Sequence, residues 1–316
     1  MILAYDAMEV SRRISGLLET AVRDVKALSL IPVSDQKAQL FYLDHYSDVT
    51  QFDSSKSALP QHVSVPLYND ISFFNSDGRE VIHISDGNVK KGRPTEECQK
   101  DPMCDAPFVE SALEKKKGEV SFGKLLKWYS PEGGPDNEEQ ATLKVAVRSA
   151  EGLHILGINY RHIKDIMYYP AFPYQVKSDL LDAYYAGNYI YMVDSDFDFL
   201  AHPKPWHVMG IDRHTGKRME PVRIDSDEGK HPLNVKAYAG EKLRDYFDRL
   251  IKKSFTQRSI DIFRAPNLQG TLRVLSVAPI LFSKGQYQKS GIFGHVITGC
   301  NVDFFEEPKE RLVPYY

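Results

Sequence analysis

Hydrophobic residues recur every three or four positions over the first 28 residues of the chain. They stand at 3, 7, 10, 14, 17, 21, 25 and 28, with charged residues between them and no proline before Pro32. This spacing predicts one amphipathic helix from Leu3 to Leu28, about 40 Å long at roughly 1.5 Å per residue. Its narrow apolar stripe either packs on the helix's own domain or, because the spacing resembles a heptad, pairs with a second copy of the chain.

Two segments far apart in the chain share the pattern of a strand, a tight polar turn and a second strand. The first is DISFFNSDGREVIHISDG (70–87) and the second is NYIYMVDSDFDFLAHPKP (188–205). An offset of 119 residues places Asn75 on Asp194. Turn residues between alternating apolar residues predict a β-hairpin in each segment.

Later segments repeat in the same order. TLKVAV (142–147) matches TLRVLS (271–276), and each is followed by a glycine-bounded strand, GLHILGINYRHI (152–163) or SGIFGHVITGCNVDFF (290–305). A helical stretch also follows each hairpin, around 106–117 and 241–254. The sequence therefore predicts two tandem α/β modules, each with a mostly antiparallel sheet of five or six strands flanked by helices.

The composition narrows the classes of protein to which this chain can belong. Its 316 residues include 40 basic and 43 acidic ones, for a net charge of −3, and 42% are hydrophobic. This balance excludes a largely disordered chain, and basic residues spread along the sequence argue against a nucleic-acid partner. The longest apolar runs are too short to cross a bilayer, and the start lacks the features of a signal peptide. The segment is then either cytoplasmic or cut from a longer protein.

The three cysteines and the polar clusters give few chemical candidates. Cys98 and Cys104 lie in a polar loop and could form a disulfide in an oxidising compartment, which leaves Cys300 as a thiol in an apolar strand. A metal or haem site is the weaker alternative because the spacing fits no standard ligand set, so we predict no cofactor and no metal. The sequence also lacks GxSxG, P-loop and GxGxxG motifs, so no catalytic residue is assigned.

The segment DSDFD (194–198) resembles the start of a calcium loop, but the resemblance fails where the geometry is strict. Phe199 stands where such a loop needs glycine, and Pro205 stands where it needs a bidentate glutamate. A tight turn is the better interpretation. His202 and His207 could serve a hydrolase, but the prolines around them forbid the helix that a metallohydrolase site requires.

The hairpin and the His-Pro in YIYMVDSDFDFLAHPKPWHVMGID (189–212), together with the closing strand, resemble a Cache module, the α/β sensor domain of bacterial receptors. The first unit, with NSDGREVIHISDG (75–87) and ATLKVAVRSAEGLHILGINY (141–160), resembles the membrane-distal module of a double Cache domain. The long N-terminal helix is also in the place that this family gives it. The resemblance implies tandem PAS-like modules, with these boundaries: 1–40 long helix, 41–168 membrane-distal module, 169–308 membrane-proximal module and 309–316 exit toward a transmembrane segment.

This resemblance implies a function as well as a fold. Such domains are extracytoplasmic, periplasmic segments of inner-membrane receptors such as histidine kinases and chemoreceptors, so we expect a non-enzymatic sensor that binds a small molecule in the distal module. The parent is then membrane-anchored, and a homodimer through the N-terminal helix is expected. The alternatives are a stand-alone periplasmic binding protein of the same fold and, less favoured, a hydrolase that uses His202 and His207.

Alternation along the strands that face the crossing helix selects the residues expected to line the distal pocket: Phe73, His83, Phe108, Lys127, Tyr129, Arg148 and Asn159. The corresponding proximal set is weaker: Tyr191, His202, Trp206, His207, Arg273 and Tyr287. Amino-acid-binding Cache sensors carry an Arg followed by Trp-Tyr where this chain has DPMCDAPFVESA (101–112), so a carboxylate clamp is in doubt. Asp105 favours a cationic ligand, whereas Lys127, Tyr129 and Arg148 could hold an anion.

Overall fold

The N-terminal apolar stripe forms one helix of 28 residues, α1 (Ile2–Ser29). The computed structural model describes residues 2–51, 61–85, 87–92, 104–126, 141–171, 189–202, 234–235, 245, 248–249, 261–266 and 272–301. After a turn at Pro32, α2 (Asp35–Asp44) begins, with the Ser34 hydroxyl accepting the Lys37 N–H at 3.3 Å. A serine at this position satisfies one of the backbone N–H groups that a helix start leaves unpaired.

The first module is built on a six-stranded antiparallel sheet in the order β5-β4-β3-β8-β7-β6. Its elements are β3 (Tyr68–Asn75), β4 (Glu80–Ser85), β5 (Asn88–Lys91), α3 (Ala106–Leu113), β6 (Val120–Leu126), β7 (Thr142–Arg148), β8 (Gly152–Asn159) and α4 (Tyr160–Ala171). The strands of the predicted hairpin lie at β3 and β4, and TLKVAV is β7. The middle of the sheet is buried on both faces, because every residue of β8 is buried.

The second module repeats this topology with five antiparallel strands in the order β10-β9-β13-β12-β11. They are β9 (Tyr189–Asp194), β10 (Phe199–Ala201), β11 (Asp261–Pro266), β12 (Leu272–Leu281) and β13 (Ile292–Asn301). If β9 is matched to β3, then β10, β13, β12 and β11 take the places of β4, β8, β7 and β6. The predicted pair of mostly antiparallel α/β modules behind a long helix is confirmed. Residues 309–316 lie outside the described part of the chain, and the domain boundaries stay a prediction.

The two hairpin turns are also alike in their hydrogen bonds. Asn75 Oδ1 accepts the N–H groups of Asp77 and Arg79, at 3.1 and 2.9 Å. Asp194 Oδ1 accepts those of Asp196 and Asp198, at 2.8 and 2.9 Å. A short side chain that bonds its own backbone two residues ahead is a device of Asn and Asp in tight turns. The turn interpretation of DSDFD is therefore correct.

The stretch before Pro66 contains a hairpin that the sequence analysis did not predict. Strands β1 (Tyr46–Gln51) and β2 (Gln61–Pro66) pair antiparallel as a separate two-stranded sheet. Asp165 of α4 holds this hairpin through an Oδ1 that accepts the Thr50 N–H at 2.7 Å.

Helix α1 packs along the sheets of both modules, since it contacts β7 and β8 of the first and β12 and β13 of the second. Its stripe is buried in the protein's own core, with Ile14 3% and Val25 0% exposed. Packing on the chain's own modules is thus the correct interpretation of the stripe. A homodimer through this helix would need its other face, and dimerisation stays a prediction.

Polar bonds fix the position of α1 against both modules. Ser11 and Ser15 donate their hydroxyls to the carbonyl oxygens of Pro279 and Leu281 on β12, at 2.5 and 2.6 Å. Near the other end of the helix, the Tyr68 hydroxyl donates to Asp24 Oδ2 at 2.7 Å. Burial and this bond raise the pKa of Tyr68 above its ordinary value. Side-chain hydrogen bonds thus hold the helix at two points along its axis, one on each module.

Candidate functional site

One face of the distal sheet carries a row of charged side chains over a glycine. Asp70 of β3 and Lys144 of β7 both lie opposite Gly157 of β8, in the same row across the sheet. Because Gly157 has no side chain, the two charged groups approach across it, and Lys144 Nζ lies 3.7 Å from Asp70 Oδ2. Lys144 is 2% exposed, and a lysine is almost never buried so completely unless it is paired.

His83 of β4 lies in the neighbouring row on the same face of the sheet. It lies opposite Ser72, and its Nδ1 is 3.0 Å from Ser72 Oγ, 3.3 Å from Asp70 Oδ1 and 3.2 Å from Glu80 Oε1. Glu80 is 1% exposed, so its carboxylate depends on neighbouring donors for stabilisation. We call Asp70, Glu80, His83 and Lys144 the charged cluster. The sequence prediction placed His83 at the ligand site, and the structure brings it into this cluster.

Helix α3 covers the other end of the row. Lys144 Nζ donates to the Cys104 carbonyl oxygen at 2.9 Å, just before α3 begins. A Cβ atom built on Gly123 of β6 would lie 3.5 Å from Asp105 Oδ2, from a ring carbon of Phe108 and from Lys144 Cβ. These three side chains therefore converge over Gly123. Phe108, also predicted at the site, lies between α3 and the sheet and packs against the small core cluster that joins them.

Two further polar atoms lie beside Gly157 on the face of the sheet that α3 covers, which we call the floor. A Cβ on Gly157 would overlap Thr142 Oγ1 and crowd Asp70 Cβ and Asn69 Oδ1. Thr142 is fully buried, and within the described residues neither Thr142 Oγ1 nor Asn69 Oδ1 has a hydrogen-bond partner. Buried polar atoms in native proteins are almost always bonded to protein, water or ligand. The floor thus offers two acceptors, and the threonine hydroxyl can also donate.

Phe73 lies on the face of the sheet opposite the charged cluster, and its place in a ligand pocket stays a prediction. It pairs with Ile82, belongs to the core under α1, and packs against His154 with the ring centroids 4.8 Å apart and the rings tilted. Neighbouring residues of a strand point to opposite faces, and Ser72 is the one that faces the charged cluster. A small cleft, partly open to solvent, lies at Phe73 and His154 beneath the α1–α2 turn.

The side chains of two other predicted residues form hydrogen bonds with the protein's own backbone. Arg148 donates to the carbonyl oxygens of Leu113 and Lys115 at the end of α3, the latter at 3.3 Å. Asn159 donates to the Pro66 carbonyl at 3.0 Å and accepts the Arg161 N–H at 3.0 Å. The anion clamp that combined Arg148 with Lys127 and Tyr129 is not supported by these contacts.

Several predicted residues lie outside the described part of the chain: Lys127, Tyr129, Trp206, His207 and Cys98. The side chain of Arg273 is likewise outside it, although its backbone pairs with Asn301 in β12–β13. Cys104 is disulfide-bonded. Its pairing with Cys98 stays a prediction.

The proximal module brings Tyr191 and His202 together but uses Tyr287 elsewhere. The Tyr191 ring lies 5.7 Å from Phe199 and 6.0 Å from His202 between centroids. Tyr287 packs on Phe122 of the distal module at 6.1 Å, so it belongs to the contact between modules. Burial raises the pKa of Tyr287, and the nearby aspartates Asp194 and Asp196 add to this effect.

The cluster contains three residues that the sequence analysis did not select: Asp70, Glu80 and Lys144. Lys144 gave a usable signal, because it interrupts the apolar run TLKVAV in a strand whose neighbours are buried. Asp70 and Glu80 stand at the ends of strands, where a charged residue is ordinary. Within the described ranges, no three His, Cys, Asp or Glu side chains are arranged to hold a metal ion.

Comparisons with known proteins bear on the fold. No protein-family model and no curated protein sequence matches the chain. Among solved structures, the periplasmic sensory domain of the Campylobacter jejuni chemoreceptor Tlp1 is similar, with 14% sequence identity, a TM-score of 0.51, and coverage of 98% of this chain and 97% of that one. The extracellular domain of soHK1S-Z6, assigned as a histidine kinase, has 11% identity, a TM-score of 0.47, and coverage of 96% and 93%.

The match to the chemoreceptor domain runs over nearly the whole of both chains. It agrees with the repeated strand order and the helix that joins both sheets. In the described residues no helix has the length and apolar character needed to span a bilayer. The chain therefore has the fold of a periplasmic chemoreceptor sensory domain, two tandem α/β modules behind a long N-terminal helix, as the resemblance to double Cache domains implied.

Proposed function

We propose that this chain is the extracytoplasmic sensor segment of a membrane-anchored signal-transduction receptor, and that it binds a small molecule on the charged cluster of its distal module. The fold match to the Tlp1 sensory domain supports the sensor role. The single observation that carries the binding site is the charged cluster, with Glu80 and Lys144 buried and Asp70 and His83 partly buried, beside unpaired acceptors at Gly157.

The arrangement of this group suits recognition better than stability. Burying several charges costs free energy that ion pairs only partly recover, so such clusters are commonly kept for a function. Gly157 lets the side chains of Asp70 and Thr142 approach each other, and α3 brings Asp105 and Phe108 over Gly123 beside Lys144. A small ligand would lie between this floor and α3, with polar groups below it and an aromatic edge beside it.

The charges favour a ligand that carries an amino group. Among the described residues around the space, three carboxylates, those of Asp70, Glu80 and Asp105, face one lysine and one histidine. Arg148, the cation predicted for an anion clamp, is engaged by backbone carbonyls instead. A cationic ligand would balance the excess of carboxylates, whereas an anionic one would add to it.

The test is a thermal-shift titration of the 316-residue protein with three matched series: short alkyl amines, the carboxylic acids of the same carbon skeleton, and the corresponding alcohols. Binding to the native state raises the melting temperature in a saturable way. We expect the amines to raise it. A rise with the acids alone would overturn the amine assignment while leaving the site intact.

Two variants and a control locate the binding. Asp70→Asn keeps the shape of the side chain but removes its charge, and Thr142→Val removes the hydroxyl beside Gly157, so both should abolish the shift. Phe73→Leu on the opposite face is the control and should retain it. Circular dichroism checks that each variant is folded. A shift that survives Asp70→Asn and Thr142→Val, or no shift with any series, would overturn the charged cluster as the binding site.

A further inference from the structure

Strand β6 of the distal module lies against the proximal module at an ionic contact. Lys124 Nζ donates to Asp196 Oδ2 at 2.8 Å and to Asp198 Oδ2, and it lies 3.4 Å from Asp194 Oδ2. All three carboxylates belong to the turn after β9. A single ammonium thus faces three carboxylates from one turn of the other module.

The contact is partly shielded from water. The Asp194 side chain is 8% exposed and that of Asp198 19%, whereas Asp196 is 67% exposed. Asn234 reinforces the turn, with Nδ2 donating to Asp198 Oδ1 at 2.8 Å and to the Asp196 carbonyl at 2.7 Å. Partial burial strengthens an ion pair relative to one on the open surface, provided that its atoms are bonded.

Titration of the buried carboxylate agrees with this geometry. Burial and the neighbouring Asp198 charge raise the pKa of Asp194 from 3.8 to about 6, although Lys124 acts to lower it. Burial opposes the charge on Lys124, but the aspartates around it raise the lysine pKa above its ordinary value. Removing the lysine would leave Asp194 buried beside two like charges.

A second, neutral contact holds β6 two residues before Lys124. The Gln286 side chain bonds both backbone groups of Phe122, donating to its carbonyl at 2.8 Å and accepting its N–H at 3.1 Å. The Phe122 ring packs edge-on against Phe282 and Phe293, at 5.2 and 5.9 Å between centroids. Because the residues of a strand alternate between faces, Phe122 and Lys124 turn to the proximal module while Gly123 turns to α3 and Lys144.

We propose that Lys124 and the Asp194–Asp198 turn form an ionic clasp that makes the two modules unfold as one cooperative unit. The strand that carries Lys124, β6, also carries Gly123, which lies beside Asp105 and Lys144 of the distal module. This inference concerns the contact between modules and does not depend on which ligand binds. It also explains why the turn carries three aspartates. Asp194 shapes the turn through Oδ1 and reaches Lys124 through Oδ2, and Asp196 and Asp198 complete the set.

Differential scanning calorimetry of the full 316-residue protein tests the clasp. For the unaltered chain we expect one transition whose van't Hoff and calorimetric enthalpies agree. Lys124→Met keeps most of the side-chain length but removes the charge. It should lower the first melting temperature by at least about 4 °C and bring the enthalpy ratio below one as the modules separate.

Matched variants distinguish the clasp from a general effect of charge. Lys124→Arg should restore a single transition, since the guanidinium can bond the same carboxylates, and Lys116→Met removes an exposed lysine of the same module and should leave the trace unchanged. If Lys124→Met does not fold, Asp196→Asn keeps the turn and removes its most exposed carboxylate, and it should give a smaller shift in the same direction. A single unshifted transition in both Lys124→Met and Asp196→Asn would overturn the proposal.

Discussion

Asn75 and Asp194 accept the same pair of backbone N–H bonds in equivalent turns of the two modules. The amide and the carboxylate are nearly the same shape, so either can hold the turn. They differ in charge, and only the charged one faces Lys124. The Asn75 side chain thus holds the turn of its own module, whereas the Asp194 side chain holds its turn and also contacts Lys124 of the neighbouring module.

This relationship predicts opposite outcomes for two substitutions in the distal turn. Asn75→Ala removes the acceptor of both bonds and should lower the free energy of unfolding by about 1–2 kcal/mol. Asn75→Asp keeps the acceptor and should be close to neutral. Urea denaturation followed by circular dichroism measures both. Equal stability of the alanine variant and the unaltered protein would contradict the role given to the side chain.

Ile14 is buried on the inner face of α1, so truncating it should reduce stability and not self-association. Ile14→Ala leaves a cavity in the core and should cost about 2–4 kcal/mol. Gly16 is the matched control on the same helix: it is exposed, and an added Cβ would meet nothing within 4 Å. Gly16→Ala should stabilise the protein by roughly 0.5–1 kcal/mol. A change in sedimentation mass without a change in stability for Ile14→Ala would show that the stripe serves a dimer instead.

The buried histidines predict that the protein loses stability in weak acid. Burial lowers the pKa of His154 and that of His295 from 6.5 to about 4. Between those pH values the unfolded chain binds protons that the folded one does not, so the free energy of unfolding falls as pH falls, by at most about 1.4 kcal/mol per unit and group. Asp194 acts in the opposite direction, because its folded pKa is raised from 3.8 to about 6 and it takes up its proton first in the folded state.

Urea denaturation at pH 7, 6 and 5 measures this dependence. His154→Gln removes one of the two histidines and should flatten the decline, and His62→Gln, at an exposed position, is its control. A decline of equal steepness in the His154→Gln protein would contradict the assignment to this residue.

The disulfide at Cys104 predicts a single free thiol. If its partner is Cys98, alkylation of the denatured, unreduced protein should label only Cys300, as read by peptide mass spectrometry. Cys98→Ser and Cys104→Ser should each lower the free energy of unfolding by about 2 kcal/mol, the loop-closure contribution for so short a loop. Labelling of Cys98 in place of Cys300 would contradict the pairing.

The parts of the fold that local rules determine could be predicted from the sequence. The spacing along α1 and the polar turns at Asn75 and Asp194 have local causes, and their order along the chain gave the tandem modules. The β1–β2 hairpin was missed because β1 is mostly polar and the alternation in β2 rests on only two valines, Val63 and Val65. It is held partly by Asp165, more than 100 residues away in the chain.

The candidate site was harder to predict because β3 is buried on both faces. In the run ISFF neither face is polar enough to show which side chains point toward α3, and Phe73 lies on the face away from the charged cluster. The charged cluster also joins residues of β3, β4 and β7 across Gly157, and strand pairing alone brings them together. His83 was found because its hairpin could be recognised, whereas Lys144 required the register of the sheet.

The two serine bonds of α1 have a geometric consequence for movement. Ser11 and Ser15 are one helical turn apart, about 6 Å along the axis, and their acceptors Pro279 and Leu281 are two strand residues apart, about 6.6 Å along β12. The spacing of the two donors along α1 thus nearly equals the spacing of the two acceptors along β12. A shift of α1 along its axis by less than this spacing would break both bonds at once. We therefore expect helix and strand to move together, so that a displacement within this chain is a tilt or rotation of the pair with its sheet.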